Sequence, residues 1–233
     1  MPTIAGFSPL SLIDDPGYLC CSVFLCGCPF RCPFCHNAQL WAEHPNHLEL
    51  VDPEQLLHML EGRISILDSV CLTGAEPLSQ TDLPDFTAAL KKMGYRIKLD
   101  TNGYFPERLE ALLANRQVDK VAMDIKNSPQ AYAATCGLQR VDLARISRSI
   151  QLIQQSGVEF EFRTTLTQQY HPLESLKDIV KWNLGQSPLY LQNFQCQATV
   201  PDQSLLPIPQ ENLQKIMDAL QPVLPGIRLR ING

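Results

Sequence analysis

Within eight residues, Cys28-Pro-Phe-Arg-Cys32-Pro-Phe-Cys35, the chain carries three cysteines separated by three residues and then by two. Thiolates are soft ligands, and three so close together in a reduced protein point to a metal or an iron–sulfur cluster rather than to packing. A four-iron cubane has four irons to ligate. Three cysteines leave one iron open to a substrate, as the open position does in catalytic zinc sites. Other chemistries match parts of the same stretch. Cys32-Pro-Phe-Cys35-His36 has the haem c attachment pattern, which needs an exported protein. Cys26, Cys28, Cys32 and Cys35 would make a four-ligand zinc site, although zinc modules usually bring two separated pairs. Cys32 and Cys35 also have redox-dithiol spacing. Cys20, Cys21 and Cys71 fall in apolar runs and read as small core residues. Cys136 and Cys196 fall in loops and receive no role.

Composition narrows the setting. The 233 residues are 45% hydrophobic and 18% charged, which suits one sizeable soluble domain spanning 1–233. A net charge of −5 argues against binding nucleic acid or an anionic membrane. No Lys or Arg precedes Arg31, so no basic leader is expected, and no apolar run is long enough to cross a bilayer. The expected location is the cytoplasm, where thiols stay reduced. Nine cysteines, an odd number, also count against a disulfide framework.

The elements that must carry the cysteine loop alternate strand with helix. Strands are expected at Tyr18–Cys26, Ser69–Thr73, Arg96–Thr101, Asp119–Lys126, Glu159–Thr165 and Pro188–Phe194, with a short terminal one at Ile227–Ile231. Helical spacing follows Pro53, Pro84, Pro106, Asp142 and Pro172, and a last helix carries Leu213, Ile216, Met217 and Leu220. Such alternation implies parallel pairing with right-handed crossovers. Period-two alternation places Val121, Met123 and Ile125 on one face and Asp124 and Lys126 on the other. It likewise sets Ile97 and Leu99 against Lys98 and Asp100, and Phe160 and Phe162 against Glu159, Glu161 and Arg163. Burying those charges unpaired under a second helical layer would cost on the order of several kcal/mol each. A curved sheet around a wet polar interior avoids that cost. The expected fold is therefore α/β, a partial (β/α)6 TIM-like barrel with helices outside and chemistry at the C-terminal strand ends.

The cysteine spacing, with aromatic Phe34 before the last cysteine, resembles the signature of the radical SAM superfamily. Further blocks resemble the glycyl-radical-enzyme activases within it. These are Asp14-Asp-Pro-Gly17, Cys35-His-Asn37, Leu72-Thr-Gly-Ala-Glu-Pro77, Leu99-Asp-Thr-Asn-Gly103, Ala122-Met-Asp-Ile-Lys126, Glu161-Phe-Arg-Thr-Thr165 and Leu191-Gln-Asn-Phe194. The likeness is greatest to activating proteins of anaerobic ribonucleoside-triphosphate reductase, with pyruvate formate-lyase activases as near relatives. It implies that Cys28, Cys32 and Cys35 hold a [4Fe–4S] cluster whose open iron binds S-adenosylmethionine (SAM). One electron would then cleave SAM to methionine and a 5′-deoxyadenosyl radical. That radical would take a hydrogen from a glycine of a partner, most specifically the anaerobic reductase.

The resemblance assigns the other residues too. Phe34 and the segment Gly74-Ala75-Glu76 would contact SAM, the latter in place of the family's Gly-Gly-Glu-Pro motif, with Ala75 where a second glycine is expected. Asp100, Thr101 and Asn102 would adjoin SAM; Asp100 and Asp124 would hold a monovalent cation. Lys126 and Arg163 would meet the SAM carboxylate, and Asp14 would lie near the partner's glycyl loop. The chain has cysteines for one cluster, so electrons would come from a donor such as flavodoxin or ferredoxin. A radical SAM enzyme acting on a small molecule would share every SAM-site residue, and a zinc or electron-transfer module would cleave no SAM.

Overall fold

The computed structural model describes residues 1–182 and 184–230. Eight strands form one sheet in simple sequence order: β1 (Ile4–Ser11), β2 (Cys20–Leu25), β3 (Ser69–Gly74), β4 (Arg96–Thr101), β5 (Lys120–Asp124), β6 (Glu159–Leu166), β7 (Leu189–Asn193) and β8 (Ile227–Arg230). From β2 to β8 every neighbour is parallel. β1 and β8 do not pair, so the barrel is partial, as the alternating charges require. The expected strand end at Ile231 lies outside the described residues.

β1 is the element the sequence reading lacks. It pairs antiparallel with β2, with register shifts on either side of Gly6–Ser8. Its sequence, IAGFSPLS, combines a glycine, a proline and serines, and edge strands tolerate such breaks. A second unexpected element is the short α4 (Tyr132–Thr135), which lies between β5 and the next long helix.

Helices α1 (Pro53–Glu61), α2 (Leu83–Lys92), α3 (Pro106–Ala114), α5 (Leu143–Gln155), α6 (Leu173–Lys181) and α7 (Gln210–Leu220) complete the chain. Asp52 caps α1 by accepting from Glu54 N, and Asp142 caps α5 by accepting from Ala144 N at 3.1 Å. α5 buries Ile146, Ile150 and Ile153 in the core with outward strand residues Ile97, Leu99, Val121, Met123 and Phe162. Among the described residues no helix is long and apolar enough to cross a membrane.

Register then lines up the polar face. Ser22 pairs with Cys71, Cys71 with Lys98, Lys98 with Lys120 and Lys120 with Glu159. Nearer the C-terminal ends, Asp124 pairs with Arg163. These side chains share the interior because a parallel ladder keeps register partners on one face.

Candidate active site

The cysteine loop is held on several sides. Gly27 N donates to Leu40 O at 2.8 Å and Cys28 N to Trp41 O at 3.0 Å. Glu76 N donates to Gly27 O, and the Gln80 amide donates to Cys26 O at 2.7 Å. Arg31 N donates to Cys136 O at 2.8 Å, just past α4. There Gly137, at φ +67°, approaches so closely that a Cβ would lie 2.1 Å from Arg31 O. The Leu40–Trp41, Glu76–Gln80 and Cys136–Gly137 segments together define the shape of the loop.

At the C-terminal strand ends this loop roofs a cavity of about 240 Å³. Cys28, Cys32 and Cys35 line it together with Phe34, Gly74, Ala75, Asp100, Thr101, Asn102, Asp124, Lys126 and Arg163. Burial pushes the Cys28 thiol up to about 12 and raises Cys35. Cys32 shifts down, chiefly through a hydrogen bond with Cys136. Cys136, to which the sequence alone assigns no role, is therefore a buried neighbour of the cysteine loop in the turn after α4.

Two expected residues stand apart from the cavity. Glu76 is fully buried, and its carboxylate accepts from Leu78 N (3.0 Å), Thr101 Oγ1 (2.8 Å) and Asn102 N (2.6 Å). It braces the end of β3 against β4. Burial raises it to about 7, against the pull of those three bonds. Asp14 lies before β2, at the N-terminal end of the parallel strands, and accepts a short hydrogen bond from the Ser22 hydroxyl.

Gly74 sits at φ +106°, where a Cβ would come within 2.5 Å of Leu25 N. Only glycine fits that crossing of two strands. Ala75 is different: Arg116 is the sole non-glycine residue with positive φ among those described. The alanine follows the crossing at no backbone cost, and its N–H donates to Leu25 O at 2.9 Å.

The charges form an alternating chain. Lys98 Nζ donates to Asp100 at 2.7 Å; Arg163 spans Asp100 (3.3 Å) and Asp124 (2.9 Å); Lys126 Nζ reaches Asp124 at 3.0 Å. Arg163 thus bridges the two carboxylates. Burial alone would raise Asp124, but Arg163 and Lys126 outweigh it and hold the carboxyl at about 2. Burial opposes the Lys126 charge, yet Asp124 and then Cys32 more than offset that and move it up.

Sequence reading missed two histidines. His36 lines the cavity, stacks on Phe194 with ring centroids 5.7 Å apart and hydrogen-bonds Gln195 O at 2.7 Å. His171 accepts from Thr167 N at Nδ1, so its Nε2–H donates to Lys126 O at 2.9 Å. Burial lowers it to about 4 and keeps it neutral. Adjacency to Cys35 is the signal that could have found His36; nothing local marks His171, whose partner Lys126 lies 45 residues away.

A model of the radical SAM superfamily matches residues 22–182, more than half the chain and all three loop cysteines. The chain belongs to the radical SAM superfamily. Enzymes of this superfamily use a [4Fe–4S] cluster and SAM, and so does this one. A candidate glycyl-radical enzyme activating enzyme of Methanocaldococcus jannaschii is 29% identical over 238 residues, covering 99% of this chain and 97% of that protein. The pyruvate formate-lyase-activating enzyme of Clostridium pasteurianum is 28% identical, covering 78% of this chain and 77% of its own length. Among solved structures, a radical SAM methyltransferase from Sphaerobacter thermophilus has TM-score 0.68 at 14% identity, covering 93% of this chain and 67% of that one. SuiB of Streptococcus suis, bound to S-adenosylmethionine, has TM-score 0.68 at 12% identity, covering 89% of this chain and 48% of that one. These structural likenesses concern the fold.

The residues present fit such a cluster. All nine cysteines are free, and three of them line one cavity near a lysine cation. Among the described residues no three His, Cys, Asp or Glu side chains converge on a point suited to a single ion. One thiol per iron needs no such convergence, whereas a zinc site does. Cys26 is fully buried and does not line the cavity, which removes the fourth ligand of the zinc alternative.

Proposed function

We propose that this radical SAM enzyme is an activase that generates a glycyl radical on a partner enzyme, most specifically anaerobic ribonucleoside-triphosphate reductase. The observation that carries the reading is the cavity in which three thiols face a paired lysine and arginine, on a chain similar end to end to a candidate glycyl-radical enzyme activating enzyme. Cys28, Cys32 and Cys35 would hold three irons of the cluster. When bound, cluster and SAM supply one-electron cleavage of SAM to methionine and a 5′-deoxyadenosyl radical that removes a hydrogen atom from glycine.

The remaining tasks belong to the chain itself. Gly74 and Ala75 put backbone against the cavity where the SAM ammonium needs acceptors. Lys126 and Arg163 offer cationic donors to its carboxylate, and their ion pairs with Asp124 fix both side chains before SAM arrives. Phe34, packed on Tyr170 and His171, shapes the wall beside Cys35. Asp100, Thr101 and Asn102 line the β4 side. Asp14 reaches the interior from the opposite end and is the candidate contact for the partner's glycyl loop, which an unclosed barrel can admit. A flavodoxin or ferredoxin would deliver the electron, in the cytoplasm, where the thiols stay reduced.

The test is anaerobic reconstitution with iron and sulfide, then reduction and addition of SAM with the reductase. The expected result is 5′-deoxyadenosine together with a glycyl radical signal on the reductase. Deoxyadenosine without that signal rejects this partner, and no deoxyadenosine rejects the activase reading.

A further inference from the structure

Asn102 stands between the brace and the thiols. Its backbone N–H is held by Glu76 at 2.6 Å, and its side-chain Oδ1 accepts from Tyr104 N at 3.0 Å. A backbone N–H can only donate, so that contact fixes which end of the amide is oxygen. The NH₂ end therefore faces the cavity, 3.6 Å from Cys28 Sγ. Cys28 receives a second donor from its own loop, Phe30 N at 3.4 Å. The loop bond travels with the cysteines; the Asn102 bond ties the sulfur to the rigid end of β4.

We infer that Asn102 is a positioning residue whose side-chain N–H donates to the Cys28 sulfur and raises the reduction potential of the cluster. This rests on Cys28 being a cluster ligand. Reduction adds negative charge that spreads onto the ligand sulfurs, and an N–H dipole aimed at sulfur stabilises the reduced form more than the oxidised one. The donor is neutral and its orientation is set by Tyr104 and Glu76, so no reorganisation accompanies electron arrival. The reading differs from a direct contact to SAM, because it acts before SAM binds.

The experiment is a potentiometric titration of the reconstituted cluster without SAM, followed by the spin signal of its reduced state. In N102L the ratio of reduced to oxidised cluster, at the wild-type midpoint, should fall about tenfold, which for one electron corresponds to about 59 mV. N102D keeps the shape and the acceptor for Tyr104 N but loses the donor, and should shift the same way. An unchanged midpoint in either variant at full iron and sulfide content overturns the inference. So does a defect that appears only as weaker SAM binding, which would make Asn102 a SAM contact. A third readout avoids substitution: with side-chain nitrogen of asparagine isotopically labelled, pulsed spin resonance of the reduced wild-type cluster should show a weak nitrogen coupling. Its absence also overturns the proposal. A wild-type chain that assembles no cluster fails on Cys28 instead, a separate and distinguishable result.

Discussion

The barrel interior holds two tiers of charge, built by the same alternation yet different in balance. The lower tier runs from the N-terminal ends of β4, β5 and β6 across to Arg230 at the end of β8. There buried Asp15 meets Arg96 at 3.2 Å and Lys120 at 3.8 Å, while Lys120 meets Glu159 at 2.8 Å and Arg230 forks onto Glu161 with two bonds of 2.9 Å. Three carboxylates (Asp15, Glu159, Glu161) face three cations (Arg96, Lys120, Arg230), so its ion pairs balance one for one. The upper tier sets Lys98, Arg163 and Lys126 against Asp100 and Asp124 alone, three cations against two carboxylates. Its surplus positive charge borders the three thiols and the cavity. Balanced charge closes the bottom of the barrel, and unbalanced charge marks where an anionic ligand and a thiolate cluster belong.

Substitution in each tier should separate the two roles. Asp15→Ala strips a fully buried carboxylate from two cations and should cost about 3–5 kcal/mol of stability, the range for breaking a buried pair from one side. SAM affinity of the folded fraction should not change. Lys126→Met should do the opposite: a smaller change in unfolding midpoint, but SAM affinity weaker by about 30-fold or more, as expected for losing a buried charge contact of 2 kcal/mol or more. Denaturant melts and SAM titration by calorimetry check both. Equal effects on the two readouts in both variants would erase the distinction between tiers.

A smaller effect concerns two buried groups that flank the upper tier and titrate in opposite senses. Glu76 rises from 4.5 to about 7 through burial, so the folded chain keeps its proton longer and loses stability as pH climbs from 4.5 to 7. His171 falls from 6.5 to about 4, also through burial, so the folded chain refuses a proton and loses stability as pH drops from 6.5 to 4. Each is worth about 3 kcal/mol across its window, at roughly 1.4 kcal/mol per unit. Between pH 4.5 and 6.5 the two slopes cancel. Glu76→Gln should therefore expose a stability that rises with pH over that interval, and His171→Gln one that falls. Parallel pH profiles of the variants and the parent, from chemical melts under reducing conditions, would show that the two groups are not opposed.

The legible part of this molecule was what repeats locally. Alternation in Lys98–Asp100, Asp124–Lys126 and Glu159–Arg163 placed the interior charges, and from them the open barrel, because strand period needs no tertiary information. Cysteine spacing located the cavity roof for the same reason. What escaped depends on distant partners. Glu76 turns into the protein because Asn102 N and Thr101 Oγ1 wait there, 26 and 25 residues on. Cys136 joins the site only because α4 docks on Arg31. β1 has no strand-like pattern of its own and exists by pairing with β2.

The smallest effect is expected where the chain departs from the family's motif. Gly74 and Ala75 are adjacent, line the same cavity and occupy the two places where glycines are expected. Only the first needs one: it lies at φ +106° against Leu25 backbone, whereas the second has no positive φ and already carries its methyl. Restoring the motif by Ala75→Gly therefore removes a side chain that obstructs nothing and adds freedom to the unfolded chain. Stability should fall by about 0.5–1 kcal/mol and SAM affinity should stay within about twofold. A gain in SAM affinity of tenfold in the same calorimetric titration would mean that the alanine methyl intrudes on the ligand, and that the second glycine of the motif serves space rather than backbone shape.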